Sequence, residues 1–147
     1  MSTVFYYCDH CGNVVIKLHD GGPVPTCCGD VMTRLNANLI DPKGEVSEKH
    51  LPVIECLDDC TIKVKIGALP HPMTDIHHID FIFLETEHGG QMIKLRPEDE
   101  KAEALFCTCK DKPTAAYAYC NIHGLWKLPI KGQPSKRRCC CQSESPC

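Results

Sequence analysis

The chain has 147 residues, enough for one medium domain or two small ones. Its formal net charge is −3 and 43% of its residues are hydrophobic, so a globular protein is expected and no basic field attracts nucleic acid or anionic lipid. The first residues lack the basic start and apolar core of a signal peptide, and no apolar run approaches the roughly 20 residues of a membrane span. We therefore expect a cytoplasmic protein that binds neither nucleic acid nor membrane.

Thirteen cysteines are the most unusual feature of the composition. In an exported chain such a count indicates a disulfide framework. Here the count is odd, and Cys8-x-x-Cys11 and Cys27-Cys28 are each followed by a glycine that lets the backbone turn around a metal. We therefore interpret these two pairs as metal ligands in a reducing compartment.

Residues 1–36 are predicted to form a small metal module. Residues 3–7 and 13–18 are typical of strands on either side of the first cysteine pair. A segment this short cannot bury a stable core unaided, so a metal is the expected staple. Four thiolates suit zinc or a single iron, and the residues by themselves favour neither. His10, between two ligands, is predicted to lie at the surface. The predicted ligands are Cys8, Cys11, Cys27 and Cys28.

Residues 37–44 are a predicted linker, and strand-like patterns follow it. Between positions 61 and 67, three apolar residues alternate with two lysines, which puts the apolar side chains on one face. Short strands at this spacing predict an all-β sandwich of immunoglobulin-like type over residues 45–130, with one short helical turn between Pro97 and Ala104. The other predicted strands cover residues 51–55, 77–85, 91–95, 104–108 and 115–119.

Residues 131–147 carry basic residues and cysteines without an apolar period. We predict a disordered tail with exposed thiols, and a third metal site there is the open alternative. Four further cysteines are interpreted as packing or surface thiols: Cys56, Cys60, Cys107 and Cys109.

The stretch from Tyr119 to Lys127 contains Cys120-x-x-His123, a glycine and the only tryptophan. A tight turn can aim this thiolate and imidazole at one point, although many zinc modules use the same spacing. Upstream histidines of suitable type add to the pair. One thiolate with four imidazoles is rare in structural zinc sites, whereas iron or copper accepts it. The three upstream histidines are His50, His71 and His77.

The choice of His77 over its neighbour depends on the predicted strand 77–85. His77 lies on the more apolar face, which also carries Ile79, Phe81 and Phe83, and we expect that face to line the core. His78 lies on the opposite face and is left outside the site. Two histidines in turn-rich stretches without a partner motif are also expected at the surface: His19 and His88.

In combination these motifs resemble the superoxide reductase family. The stretches that carry the resemblance are Glu48-Lys49-His50 with Pro52 to Glu55, His71-Pro72-Met73 with His77, and Cys120 to Lys127. With the N-terminal cysteines, the chain is similar over about residues 1–128 to the two-iron form, desulfoferrodoxin. The resemblance implies a desulforedoxin-like module followed by the sandwich. It also implies iron at the four cysteines, because adjacent cysteines are the desulforedoxin pattern.

The resemblance further implies a non-haem iron that reduces superoxide to hydrogen peroxide. Cys120 would be its axial ligand, pushing electron density through the iron, and the sixth position would be open for superoxide. Lys49 would attract superoxide and assist protonation through water, and Glu48 would take the sixth position once the iron is ferric. The implied equatorial ligands are His50, His71, His77 and His123.

The family implies a rubredoxin-like electron donor and a homodimer. Two other functions stay open. The chain could be a non-catalytic iron electron-transfer protein, or a structural zinc protein without a redox role. Metal analysis with visible spectra separates the zinc protein, and rapid mixing with superoxide separates the remaining two.

Overall fold

The computed structural model describes four stretches of the chain, residues 3–38, 47–58, 60–108 and 111–131. Most of the predicted linker, Cys109 and nearly all of the predicted tail lie outside the described residues. The described stretches contain no helix with the length and apolar character that a bilayer crossing requires.

The chain divides into two compact units, Met1–Asn36 and Ala37–Cys147. In the described part, strands make up nearly all of the regular structure and the helix α1 has four residues, which confirms the all-β fold class. The finer bounds, with a linker over 37–44 and a sandwich over 45–130, stay predictions.

The N-terminal unit consists of short strands around a very small core. β1 lies between β2 and β5 in an antiparallel sheet, and β3 pairs with β4. One buried cluster consists of Tyr6, Cys8 and Met32, so one of its three members is itself a predicted ligand. The strands are β1 Phe5–Tyr7, β2 Val14–Ile16, β3 Thr26–Cys27, β4 Asp30–Val31 and β5 Thr33–Arg34.

The second unit is a sandwich of two antiparallel sheets, with orders β10-β7-β6 and β12-β11-β8-β9. Apolar side chains from both sheets form one core cluster, with β7 and β10 on one side and β8 and β11 on the other. Its elements are α1 Ser47–His50, β6 Pro52–Cys56, β7 Thr61–Ile66, β8 Ile79–Thr86, β9 Gly90–Lys94, β10 Glu103–Cys107, β11 Pro113–Cys120 and β12 Gly124–Pro129.

The alternation predicted for β7 is confirmed. Ile62, Val64 and Ile66 are buried in the core, because side chains two apart on a strand point to the same face. The lysines between them form ion pairs on the outer face with Glu55 and Glu103 of the neighbouring strands.

The core-facing side predicted for β8 is confirmed at Ile79 and is wrong beyond it. Ile79, Ile82 and Leu84 join the core cluster, whereas Phe81 stacks on Tyr119 with ring centroids 5.4 Å apart. The register of β8 with β11 shifts between these points, since Cys120 pairs with Ile79 and Tyr119 with Phe81. The extra residue, Asp80, forms a bulge that moves the following side chains to the other face.

Three local features also differ from expectation. The segment after Pro97 makes one hydrogen-bonded turn, from the Asp99 N–H to the Arg96 carbonyl, and no helix. Neither α1 nor β12 was predicted. A four-residue helix is too short to show an apolar period. In β12, Leu125 and Trp126 are adjacent apolar residues, so the strand lacks strict alternation.

At Gly67, the backbone after β7 passes very close to the backbone of α1. The Gly67 φ is +86°, and a Cβ at this position would lie 2.2 Å from the Leu69 carbonyl oxygen and 2.7 Å from that of Lys49. Its N–H donates to the Leu51 carbonyl at 3.0 Å, and the Leu69 N–H donates to the Glu48 carbonyl at 3.3 Å. Gly67 therefore lets the end of β7 hold α1 in place.

We expect Gly67→Ala to lower the free energy of unfolding by roughly 2 kcal/mol or more, because it combines a disfavoured backbone conformation with overlap on two carbonyls. Gly89→Ala is the matched control, since a Cβ there meets no atom within 4 Å. Denaturant unfolding of both variants measures the difference. Equal stability of Gly67→Ala and the wild type would contradict this account of α1.

Candidate metal centres

The four N-terminal cysteines converge. The sulfur atoms of Cys8, Cys11, Cys27 and Cys28 all lie within 4.8 Å of one another. The Cys11 and Cys27 sulfurs are 3.6 Å apart, and those of Cys27 and Cys28 are 4.0 Å apart. Sulfur atoms bonded at roughly 2.3 Å to a tetrahedral metal are about 3.8 Å apart, so the cluster has the size of a metal site.

Two backbone turns with positive φ shape this cluster. Gly12, at φ +78°, closes the turn after Cys11, and its N–H donates to the Cys8 carbonyl at 2.9 Å. Cys28 has φ +53°, the only positive value among the described non-glycine residues. This conformation turns adjacent cysteines toward the same point. The Asn13 side chain also donates to the Cys27 sulfur at 3.5 Å.

The thiols of this cluster oppose joint ionisation. Hydrogen bonds led by the Cys11 backbone N–H lower the pKa of Cys8 to about 7. Hydrogen bonding with Cys11 and the other cysteines raises the pKa of Cys28 to about 12 and raises that of Cys27. Four thiolates therefore need a cation, and metal binding would release protons.

The second cluster draws its members from four segments of the second unit. His50 ends α1, His71 and His77 lie in the loop between β7 and β8, Cys120 ends β11, and His123 lies in the turn before β12. Cys120 also belongs to the core cluster, following Ala116 and Ala118 along one face of β11. The hydrophobic core itself therefore aims the thiol.

The four imidazole rings form a closed square. Neighbouring ring centroids are 4.6 Å apart for His50–His71, 4.6 Å for His71–His77, 5.0 Å for His77–His123 and 4.5 Å for His123–His50. Planes of neighbouring rings differ by 61° to 79°, and the diagonal from His50 to His77 is 6.0 Å. The diagonal joins ring centroids, and the nitrogen of each ring can lie closer to the centre than its centroid does. The space therefore suits a central metal with nitrogen bonds of roughly 2.1 Å.

All five predicted ligands therefore lie together, but one is set slightly apart. The donor atoms of His50, His77, Cys120 and His123 lie within 4.8 Å of one another, and His71 lies outside that set. The His71 Nε2 is nevertheless 3.1 Å from the His50 Nε2. Two nitrogens bound at right angles to one metal, with bonds of roughly 2.1 Å, are about 3.0 Å apart. His71 thus closes the square as a neighbour of His50.

Burial disfavours the charged forms of three members of the cluster. It lowers the pKa of His71 to about 4 and lowers that of His77, to which the charges of His123, His78 and Lys49 also contribute. Burial raises the pKa of Cys120. Among the described residues, the buried His77 Nε2 has no hydrogen-bond partner. Neutral imidazoles and an orphaned ring nitrogen beside a thiol fit a metal centre.

The site opens to solvent on one side. His50 and His71 are 2% and 4% exposed and Cys120 is fully buried, whereas His123 is exposed and His77 half-buried. Trp126 closes the inner side, stacking on His50 with centroids 5.0 Å apart and donating from Nε1 to the His123 carbonyl at 3.2 Å. Among the described residues, His77 and His123 are the ligands that a small solute meets from the solvent side.

Glu48 and Lys49 lie in α1, directly before His50, and both are exposed. The Lys49 charge contributes to the lowered pKa of His77, which is one of the two histidines of the square that are not buried. The Glu48 backbone carbonyl is held by Leu69, and its side chain remains at the surface.

Residues predicted to lie outside the sites do so. His78 bonds through its ring to the Thr74 carbonyl and to Asp80, both at 2.9 Å. His10 is exposed and pairs with Asp30, and His19 is exposed. Of the remaining described cysteines, Cys56 and Cys107 are exposed and Cys60 is buried.

His88 belongs to a third group of side chains that the sequence did not reveal. It lies with Glu87 at the tip of the β8–β9 hairpin, close to Asp111 from the segment just before β11. The His88 Nδ1 is 2.9 Å from the Asp111 carboxylate, and the His88 backbone N–H donates to the same carboxylate at 3.1 Å. Glu87 pairs with Lys112. Internal hydrogen bonds and ion pairs account for this arrangement.

Sequence reasoning missed two residues that support the histidine centre. Trp126 was noted only for its rarity, and Asn121 only as part of a motif. Asn121 bonds to Ile76 and His78, on either side of His77. The polar amide inside the Cys120-x-x-His123 turn was the available signal for its role.

Comparison with known proteins gives consistent matches. Residues 43–129 match the family model described as desulfoferrodoxin. A desulfoferrodoxin from Syntrophotalea carbinolica is 42% identical over 82% of this chain and 91% of its own length. A superoxide reductase from Pyrococcus horikoshii is 40% identical over 62% of this chain and 90% of its own. The solved superoxide reductase from Treponema pallidum has a TM-score of 0.69 and 29% identity, covering 86% of this chain and 97% of that one.

The His88–Asp111 pair predicts a pH window of stabilisation. Hydrogen bonding to Asp111 raises the pKa of His88, so its contribution is complete below the ordinary value of 6.5 and is lost as pH rises through the raised value. Hydrogen bonds from Thr86 and then His88 lower the pKa of Asp111 to about 2, so its contribution is complete above 3.8 and is lost as pH falls toward 2.

We therefore expect Asp111→Asn to destabilise the protein most between about pH 4 and 6.5, with a smaller difference at pH 8 and at pH 2. Chemical unfolding of both forms across this range measures the difference. Glu98→Gln, at an exposed carboxylate elsewhere in the unit, provides the background profile. A difference that does not vary with pH would rule out the pair as its source.

Proposed function

The chain belongs to the desulfoferrodoxin family, and from this premise we propose that it is a superoxide reductase that reduces superoxide by one electron to hydrogen peroxide. The observation that carries the proposal is the square of four imidazoles beside a buried thiol, open to solvent on one side. Relatives named superoxide reductase, in sequence and in structure, support the same activity.

We assign iron to both clusters. Bound in the histidine cluster, iron supplies one electron to superoxide, and two protons complete the conversion to hydrogen peroxide. The four-cysteine cluster would hold the second iron through Cys8, Cys11, Cys27 and Cys28. The residues that would hold the catalytic iron are His50, His71, His77, His123 and Cys120.

The protein's contribution begins with the choice of ligands. Burial lowers the pKa of His71 and of His77 and so favours their neutral forms, and Cys120 is the one side chain among the five proposed ligands that can bind as an anion. The stack of Trp126 on His50 excludes water from the inner side. Superoxide is a small anion and can enter past the half-buried His77 and exposed His123.

Lys49 is the residue that we assign to anion capture. The net charge of the chain is −3, so attraction of superoxide must be local. Lys49 is exposed, yet close enough to the square for its charge to lower the pKa of His77. Its ammonium can attract the anion and hold a water that delivers a proton. The carboxylate of Glu48, beside it, repels an incoming anion and so adds nothing to capture of superoxide. We assign Glu48 to the later step, release of the hydrogen peroxide product.

The remaining assignments concern the N-terminal iron and the partners. A four-cysteine centre with two exposed cysteines suits electron transfer. A rubredoxin-like carrier as donor, a homodimer and a cytoplasmic location remain predictions that follow from family resemblance and composition. The alternative function is a non-catalytic iron electron-transfer protein, which the exposed cysteines would also serve.

Rapid mixing of the reduced, iron-loaded protein with superoxide tests the proposal. We expect loss of superoxide with one hydrogen peroxide formed per superoxide consumed, and oxidation of the histidine-ligated centre. Dismutation would instead yield one oxygen and one hydrogen peroxide for every two superoxide consumed. Persistence of superoxide alongside iron that exchanges electrons with a carrier would favour the alternative.

Lys49→Ala should slow the reaction with superoxide about tenfold or more, which is roughly 1.4 kcal/mol in the barrier, because a positive charge at the entrance is lost. The dependence of the rate on ionic strength should weaken for the same reason. Pulse-generated superoxide with reduced protein measures the bimolecular rate at several salt concentrations.

Two variants accompany this measurement. Lys94→Ala removes an exposed lysine on β9 and should leave the rate unchanged. Glu48→Ala should leave capture nearly intact and change the spectrum of the oxidised centre. If Lys49→Ala matches the wild type at low salt, anion capture by Lys49 is wrong, while the ligand assignment is unaffected.

Cys28→Ser should abolish the visible iron–thiolate bands of the N-terminal centre, because the cluster loses one of its four sulfurs. Reduction of superoxide should persist, since all five ligands of the other centre lie in the second unit. Metal analysis, spectra and rates on the same sample provide the comparison. Loss of activity with the histidine centre still loaded would show that the two centres are coupled.

A further inference from the structure

The side chain of Asn121 joins two of the segments that supply ligands. Its Oδ1 accepts from the His78 backbone N–H at 2.9 Å, and its Nδ2 donates to the Ile76 carbonyl at 3.0 Å. Its own backbone N–H donates to the His78 carbonyl at 3.1 Å. Three hydrogen bonds therefore connect the Cys120–His123 turn to the residues on either side of His77.

The segment around His77 has little other support from the rest of the unit. The remaining hydrogen bonds described for residues 74–78 stay within the segment or reach Asp80 at the start of β8. The His77 Nε2 has no hydrogen-bond partner among the described residues, so no such bond fixes the ring from its far end. Apart from its contacts with the imidazoles of His71 and His123, the position of the His77 ring therefore depends on its backbone.

We propose that Asn121 is a positioning residue that holds His77 in register with Cys120 and His123. The inference rests on the proposed metal centre, because it concerns a ligand of that centre. Beyond the ligand assignment, the proposal states that the Asn121 side-chain amide sets the distance between ligands that come from two separate segments. Partners of metal ligands affect affinity when they fix ligand orientation, and their loss typically costs 10- to 100-fold in affinity.

The bonding pattern requires an amide. One oxygen must accept from an N–H while the nitrogen beside it donates to a carbonyl, and a side chain of this length does both only as asparagine. Asn121→Asp keeps the acceptor for His78 but sets a carboxylate oxygen against the Ile76 carbonyl. Asn121→Ala removes both bonds and leaves the backbone bond to His78 in place.

The test uses the full chain with labelled histidine ring nitrogens and Zn²⁺ as a diamagnetic probe. Zn²⁺ is buffered by a chelator, and ring-nitrogen NMR signals report the occupancy of the histidine centre without interference from the four cysteines. We expect Asn121→Ala and Asn121→Asp to need 10- to 100-fold more free Zn²⁺ for half occupancy. At saturation the His77 signal should depart from its wild-type position while those of His50 and His71 stay.

Ile122→Ala is the matched control, because Ile122 is 57% exposed in the same turn. It should leave both affinity and signals unchanged. Wild-type affinity and an unshifted His77 signal in both Asn121 variants would overturn the proposal, as would equal displacement of all four histidines, which indicates general destabilisation. The near-isosteric Asn121→Asp keeps the test valid if Asn121→Ala does not fold. A wild-type chain without metal-bound histidine signals at saturating Zn²⁺ would instead refute the metal centre, and with it this role.

Discussion

Packing four imidazoles and a thiol into one small volume is the constraint on which the second unit depends. Burial lowers the pKa of His71 and raises that of Cys120, so both groups favour their neutral forms. The buried His77 Nε2 lacks a hydrogen-bond partner among the described residues, which is unfavourable in a folded protein. A metal that binds all five groups relieves these costs together, so metal binding and the stability of this end of the sandwich should be linked.

The sandwich holds the five groups by different means, from core packing to hydrogen bonds of a loop. Cys120 continues the core-facing row of β11, so the packing that stabilises the fold also fixes the thiol. His50 is held by α1, whose position depends on Gly67 and on the stack with Trp126. His77 comes from an irregular loop and relies on hydrogen bonds to Asn121 on either side of it. The N-terminal unit shows the opposite arrangement, because there the cysteine cluster takes the place of much of the core.

The fold was predictable where periodicity was regular. The alternation in β7 placed its buried residues correctly, because a strand without a bulge has a side-chain period of two. The same reasoning was wrong for Phe81 and Phe83, because one extra residue opposite the Tyr119–Cys120 step reverses the faces that follow. His77 nevertheless lies at the predicted site, since it precedes the strand and reaches the cluster from the loop.

The sequence by itself determined the candidate donors, because Cys-x-x-Cys, adjacent cysteines and Cys-x-x-His can each converge through a short turn whatever surrounds them. It also indicated an all-β chain and pointed to Glu48 and Lys49 through family resemblance. Only the tertiary structure decided how the donors are arranged: His71 closes the square beside His50, and solvent reaches the centre past His77 and His123. It also decided which groups Trp126 and Asn121 contact, namely the His50 ring and the backbone on either side of His77. Such relations join residues from distant segments, and their distances depend on strand register, the bulge and backbone hydrogen bonds, none of which a local pattern contains.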